Sequence, residues 1–173
     1  MQRIAKFEKV SYDQFQEDWL AAYPQAAKEE IQAVYERIRL PKRATSGSAG
    51  YDFFTPCSFT LKPGETIKIL SGIRVRIDEG WVLKLYPRSG LGFKYRLQLN
   101  NTVGVIDSDY YHSDNEGHIQ IKLTNDSKEG KTLTADEGTG IVQGIFVGYG
   151  ITTDDETTEV RNGGFGSTTA GGV

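Results

Sequence analysis

Between residues 58 and 147 the chain is punctuated by Gly, Pro and Asp every few positions and has no helix-length apolar period, which confines it to short strands joined by turns. Ile73, Val75 and Ile77 alternate with Arg74, Arg76 and Asp78, and Ile119, Ile121 and Leu123 alternate with Gln120, Lys122 and Thr124. Successive side chains of a strand point to opposite faces, so each run has one apolar face to bury. The stretch 141–147 is more continuously apolar and is expected in the interior. Pro63-Gly64 and Glu79-Gly80 read as turns. The expectation is an all-β fold.

Residues 11–39 break that pattern. Phe15, Trp19, Ala22 and Tyr23 share one helical face, and Ile31, Val34, Tyr35 and Ile38 share another. Ser11 with Gln14 reads as a capping box for the first helix, and Pro24 suits the first turn of the second, where a missing N–H costs nothing. The two helices are expected as an insertion between a strand near 3–10 and a strand at 38–40. One reading packs them on the β core; the other makes them a surface for a second protein.

A chain of 173 residues fits one core, so 1–173 is taken as a single domain. The tail 161–173 holds five glycines in thirteen residues and little apolar mass besides Phe165, which cannot offset its ordering entropy. It is expected to be a mobile arm until a ligand or neighbouring subunit holds it.

Composition narrows the function classes. Twenty basic residues against 23 acidic give a net charge of -3 with no basic run longer than Lys42-Arg43, which argues against direct nucleic-acid binding. One cysteine, Cys57, excludes an internal disulfide framework and suits a reducing compartment. The first residues lack an apolar signal-peptide region, and no stretch approaches the roughly 18 apolar residues of a membrane span. A soluble, cytoplasmic protein without membrane contact is expected.

Three familiar chemistries fail on spacing. Gly130-Lys131-Thr132 resembles the end of a phosphate-binding P-loop, but Asn125 stands where that loop needs glycine. His112 and His118 flank Asp114 and Glu116, yet an EF-hand centred on Gly117 would need a glutamate where Leu123 sits, so a solvated loop is favoured. Ser89, a histidine and Asp107 lack the nucleophile-elbow pattern of a triad hydrolase.

What survives is an ordered series: Ser48-Ala49-Gly50-Tyr51-Asp52; Pro87-Arg88-Ser89-Gly90-Leu91-Gly92; Gly104-Val105-Ile106-Asp107-Ser108-Asp109-Tyr110; Gly140-Ile141-Val142-Gln143-Gly144-Ile145-Phe146; and Gly163-Gly164-Phe165-Gly166-Ser167-Thr168. Over roughly 38–168 this series resembles the five motifs of the trimeric dUTPase family. The second motif is chemically apt for a polyanion, since a guanidinium matches phosphate oxygens and glycine lets backbone N–H groups approach.

The resemblance implies a β-barrel or jelly-roll subunit, to which this chain adds its small helical insertion near the N-terminus, assembling as a homotrimer whose sites draw residues from all three chains. The implied substrate is dUTP, cleaved to dUMP and pyrophosphate with Mg²⁺ held mainly by the phosphates. Arg88, Ser89 and the Gly90 N–H match phosphate ligands, with Gln143 as a neutral donor. Asp107 matches the residue that orients and deprotonates the attacking water. Asn101 and the hairpin backbone at Gly104, Val105 and Ile106 match the uracil reader, and Tyr110 matches the ring beneath the deoxyribose. Phe165 and Gly166 match the cover over the base, Ser167 and Thr168 phosphate-binding hydroxyls, and Arg161 a γ-phosphate ligand. Asp52 matches an aspartate that reaches the metal through water.

The chain also departs from the family pattern. Gly140 stands where a basic residue is common, Val160 where an arginine is usual with Arg161 one position nearer the glycines, and 111–116 is longer than the usual link. Two alternatives stay open: a dCTP deaminase-like enzyme of the same fold, for which no matching glutamate motif is found, and a dUTPase scaffold that engages a regulatory protein through 11–39, as some phage members bind repressors.

Overall fold

The alternation at 73–77 and 119–124 resolves into two ladders in the computed structural model, which describes residues 1–159 and 161. β6 (Ile73–Ile77) pairs with β1 (Ala5–Lys9), while β10 (Gln120–Asn125) lies between β5 (Thr66–Leu70) and β8 (Leu97–Leu99). A five-stranded sheet runs β2 (Lys42–Arg43), β3 (Tyr51–Phe54), β12 (Gly140–Gly148), β7 (Trp81–Pro87), β9 (Gly104–Ile106). β4 (Phe59–Leu61) pairs with β11 (Leu133–Ala135). Every pairing among the described residues is antiparallel. The strands sort into separate sheets around one apolar cluster instead of closing as a barrel, which selects the jelly-roll form of the expectation. Ile73, Val75, Ile77, Ile119, Ile121 and Leu123 are all buried, as the period-two pattern requires.

The insertion forms α1 (Tyr12–Ala22) and α2 (Lys28–Arg37). Ser11 caps α1, its Oγ accepting the Gln14 N–H at 3.1 Å, but the Gln14 side chain turns to Asp18 and Glu116 accepts the Ser11 N–H in its place. Pro24 does not open α2. It sits in a turn closed by the Ala26 N–H on the Tyr23 carbonyl, where its fixed φ favours the second position, and α2 starts at Lys28. The strand expected at 38–40 forms instead at Lys42–Arg43, after Pro41, which has no N–H to give a ladder.

Phe15, Trp19, Ile31 and Val34 carry the apolar side of the hairpin into the core. At about 2 kcal/mol each, their burial outweighs the exposed Arg37–Glu137 ion pair, a class of contact that adds under about 1 kcal/mol. Both helices meet the body at Gly72, between β5 and β6. Its φ of 68° is left-handed, and a Cβ there would stand 2.2 Å from Ile38 Cδ1. The Gly72 N–H donates to His118 Nε2 and its carbonyl accepts the Val10 N–H. His118 is therefore no part of a solvated loop: it is fully buried, while His112 is exposed.

A third helix, α3 (Ser89–Tyr95), lies in a stretch read as strands and turns. None of its residues is fully buried, and only Leu91 and Tyr95 pack against the core, a single pair, too few for a helical period to be read. No helix among the described residues is long and apolar enough to cross a membrane.

Gly72→Ala is expected to destabilise the fold by on the order of 3 kcal/mol, combining left-handed strain with overpacking against Ile38, as read from a urea midpoint. Acid should loosen the hairpin. Burial works to raise the Asp18 pKa, but the hydrogen bond it accepts from His118 prevails and holds it below 3.8. Burial likewise opposes the two Ser11 hydrogen bonds to Glu116, which prevail and hold that carboxyl below 4.5. Both groups are lowered on folding, so their stabilisation is present above those ordinary values and is lost as pH falls through the folded ones. The urea midpoint reported by Trp19 in a Trp81→Phe background should fall below about pH 4.5, and less so after Asp18→Asn.

Candidate active site

The phosphate-binding candidates gather where β7 ends. Arg88 caps α3 with extended backbone, its Nη1 donating to the Gly140 carbonyl at 3.1 Å and its Nε lying 3.4 Å from Asp52 Oδ1. Gln143 on β12 lies across from Asp52 on β3 and from Tyr86 on β7. Ser89 and Gly90 open α3 and are exposed. A half-exposed guanidinium, an amide and a hydroxyl thus share one sheet end, a donor set suited to phosphate oxygens. Gly140 explains one departure from the family pattern: a Cβ there would stand 2.6 Å from Arg88 Nη1. Arg88 occupies the space that a side chain at that position would take.

The second group lies beyond the far end of β9. Asp107 precedes a short 3-10 helix, Ser108–His112, and its carboxylate is half-exposed. Arg161 Nη2 donates to Asp107 Oδ2 at 2.8 Å, and Arg161 Nε lies 3.1 Å from Asp109 Oδ1. The same guanidinium stands over the Tyr110 ring, 5.6 Å from its centroid. Tyr110 is buried; burial pushes its phenol pKa up, and its hydroxyl donates to the His118 carbonyl at 2.9 Å while accepting from Asn115 Nδ2. An open cavity of about 430 Å³ beside this group is lined by Val82, Asp107, Ser108, Asp109 and Tyr149.

The uracil-reading candidates lie on the hairpin that leads to Asp107. Asn101 is exposed in its turn, where its carbonyl accepts the Val103 N–H at 2.7 Å. Gly104 and Ile106 are buried on β9 and Val105 points outward. Phe165, Gly166, Ser167 and Thr168 lie outside the described residues.

The two groups do not meet within one chain. Leu83 faces Ile106 in the β7–β9 ladder, so the next step outward sets Asp107 near Val82. Arg88 is six strand positions from Val82, on the order of 20 Å, and its side chain turns further away toward Gly140.

Residues 36–169 match the family model for dUTPase. The chain belongs to the dUTPase family. A deoxyuridine 5'-triphosphate nucleotidohydrolase of Lactococcus lactis is 41% identical over 136 residues, covering 77% of this chain and 89% of that protein. Its counterpart from Hahella chejuensis is 39% identical, over 76% of this chain and 87% of that one. The dUTPase of Streptococcus mutans superposes with a TM-score of 0.62 at 30% identity, over 84% of this chain and 97% of that one. A dUTPase from phage phi11 of S. aureus, described with a structural Mg(II) ion, shares the fold at a TM-score of 0.62 and 22% identity, over 91% of this chain and 98% of that one.

This dUTPase is a dUTP diphosphatase, hydrolysing dUTP to dUMP and pyrophosphate. The family match begins at residue 36, so α1 and most of α2 precede it. Sequence reasoning passed over Asp109 as a partner of Arg161, although it stands inside the third motif, and it missed the partly buried Asp18–His118 pair, for which a histidine in a polar loop gives no signal.

Gly140→Ala should displace Arg88 and raise KM for dUTP by about tenfold with a smaller change in kcat, measured by steady-state pyrophosphate release.

Proposed function

We propose that this dUTPase works as a homotrimer in which Asp107 and Tyr110 of one chain face Arg88, Ser89 and Gln143 of another. The supporting observation is the separation along β7: two groups on the order of 20 Å apart cannot serve one α-phosphorus within a single chain, whereas a symmetric assembly brings opposite sheet ends together.

In this reading Asn101 and the backbone of Gly104, Val105 and Ile106 hold the uracil edge, and Tyr110 lies beneath the deoxyribose. Wrong bases leave a buried polar edge unpaired. Arg88, Ser89, the Gly90 N–H and Gln143 grip phosphate oxygens. Asp107 orients a water and takes its proton as the water oxygen bonds to the α-phosphorus, the bond to the bridging oxygen breaks, and pyrophosphate leaves. Arg161 exchanges its carboxylate partners for the γ-phosphate, while Phe165, Gly166, Ser167 and Thr168 close over the substrate and exclude water.

Mg²⁺ is the proposed cofactor. The donor set fits a hydrated ion borne by the triphosphate, because Asp52 offers one hard oxygen beside Arg88, and such ions take one or two carboxylates plus phosphates. Asp52 would reach it through water, and the bound ion would neutralise charge on the leaving pyrophosphate.

The expected setting is the cytoplasm, where nucleotide pools lie. A regulatory partner at 11–39 is the second reading; its support is that phage 80alpha dUTPases are described as controlling transfer of virulence genes. The insertion turns Phe15, Trp19, Ile31 and Val34 inward and leaves Tyr23 exposed among mostly polar residues, so such a partner would meet a largely polar surface.

Complementation tests the shared site. Asp107→Asn and Arg88→Ala chains, each inactive alone, should regain activity when co-assembled, in about a quarter of the sites for random mixing. No recovery from verified mixed oligomers would remove the proposal. Pyrophosphate release assayed on dUTP, dCTP, dTTP and UTP, with and without Mg²⁺, should be confined to dUTP, with no ammonia from dCTP.

A further inference from the structure

Two departures from the family pattern touch each other. The helical insertion and the lengthened loop after Tyr110 are far apart in sequence, yet they are joined at two points along α1. At the N-terminus, Ser11 donates its N–H to Glu116 Oε2 and its hydroxyl to Glu116 Oε1, each at 2.7 Å. In mid-helix, Asp18 Oδ2 lies 2.5 Å from His118 Nδ1. His118 Nε2 accepts the Gly72 N–H at 2.9 Å, so the ring proton is on Nδ1 and is donated to Asp18.

The chain of contacts continues to the reaction groups. The His118 carbonyl accepts the Tyr110 hydroxyl at 2.9 Å, and Tyr110 sits on the short helix that Asp107 immediately precedes. Around it, Arg74 donates to the Tyr111 carbonyl, stacks on the Tyr111 ring at 3.6 Å and faces Glu116 at 3.5 Å. Tyr111 in turn donates to Glu8 at the start of the segment that leads into α1. His118 is fully exposure-free and Tyr110 only 2% exposed, so their hydrogen bonds face little competition from water.

We infer that Asp18 and Glu116 are positioning residues for Asp107 and Tyr110. The insertion is then a buttress that sets the aim of Asp107 and the height of the Tyr110 ring, which lies beneath the deoxyribose where the 2′-hydroxyl of a ribonucleotide would collide with it. This rests on the roles proposed above for those two residues.

The test uses the full-length chain in its assembled form, with Asp18→Ala, Asp18→Asn and Glu116→Ala. Asp18→Ala and Glu116→Ala should each lower kcat for dUTP by about tenfold and lower the preference for dUTP over UTP in kcat/KM by a similar factor, with KM for dUTP changed by less than about threefold. Asp18→Asn, which keeps an oxygen for the Nδ1–H, should restore most of both. Folded variants that retain kcat and the dUTP preference within about twofold would overturn the inference. Hydrogen exchange on the unaltered chain decides the matter if the variants do not fold: amides of α1 and of 110–118 should open together, and independent opening of α1 would equally overturn it. Asp107→Asn serves as the control, because activity surviving there would refute the role of Asp107 and leave the buttress a separate question.

Discussion

The long antiparallel pairing of β12 with β7, from Gly148 against Trp81 to Val142 against Pro87, sets where the candidate phosphate-binding groups of this chain lie. Its end carries Arg88 beside Gly140 and, through β3, Asp52 beside Gln143. Its other end carries Val82 and hence Asp107 through β9. A strand of this length is a rigid spacer. The proposed sharing of sites between chains follows from that spacing, since no side-chain rotation spans it.

Around this frame the insertion makes an ordinary contribution in an unusual place. Its apolar residues fill the core beside Gly72, and its polar residues close on a loop next to the third motif. The carboxylates of Asp18 and Glu116 find donors there, so neither stands as a buried charge without compensation. Contacts of this kind cost little to keep and much to half-break.

The sequence made the strands legible wherever one face was buried and the other wet, as at Ile73, Val75 and Ile77, because period two survives any tertiary context of that sort. It made α1 legible through Ser11 and the Phe15–Trp19 spacing. Pro24 misled because a turn and a first helical turn ask the same φ of proline, and only the Tyr23–Ala26 hydrogen bond separates them. α3 was invisible, since a helix that packs only Leu91 and Tyr95 on the core leaves too short a pattern. In the site, motif order nominated Arg88, Gln143 and Asp107 as candidates, but their distribution between two sheet ends needed the register of β7 with β9. His118 was misjudged: its polar neighbours in sequence suggested solvent, while its neighbours in space are Phe15, Gly72 and Asp18.

Arg161 resting on Asp107 and Asp109 bears on how a polyanion can approach at all. Two bare carboxylates at the mouth of a cleft would repel a triphosphate on arrival, and the guanidinium cancels part of that field beforehand. In the proposed transfer to phosphate, one ion pair would be traded for another and the net charge brought together would change little. Capture of nucleotide at this end of the molecule would thereby be buffered against ionic strength.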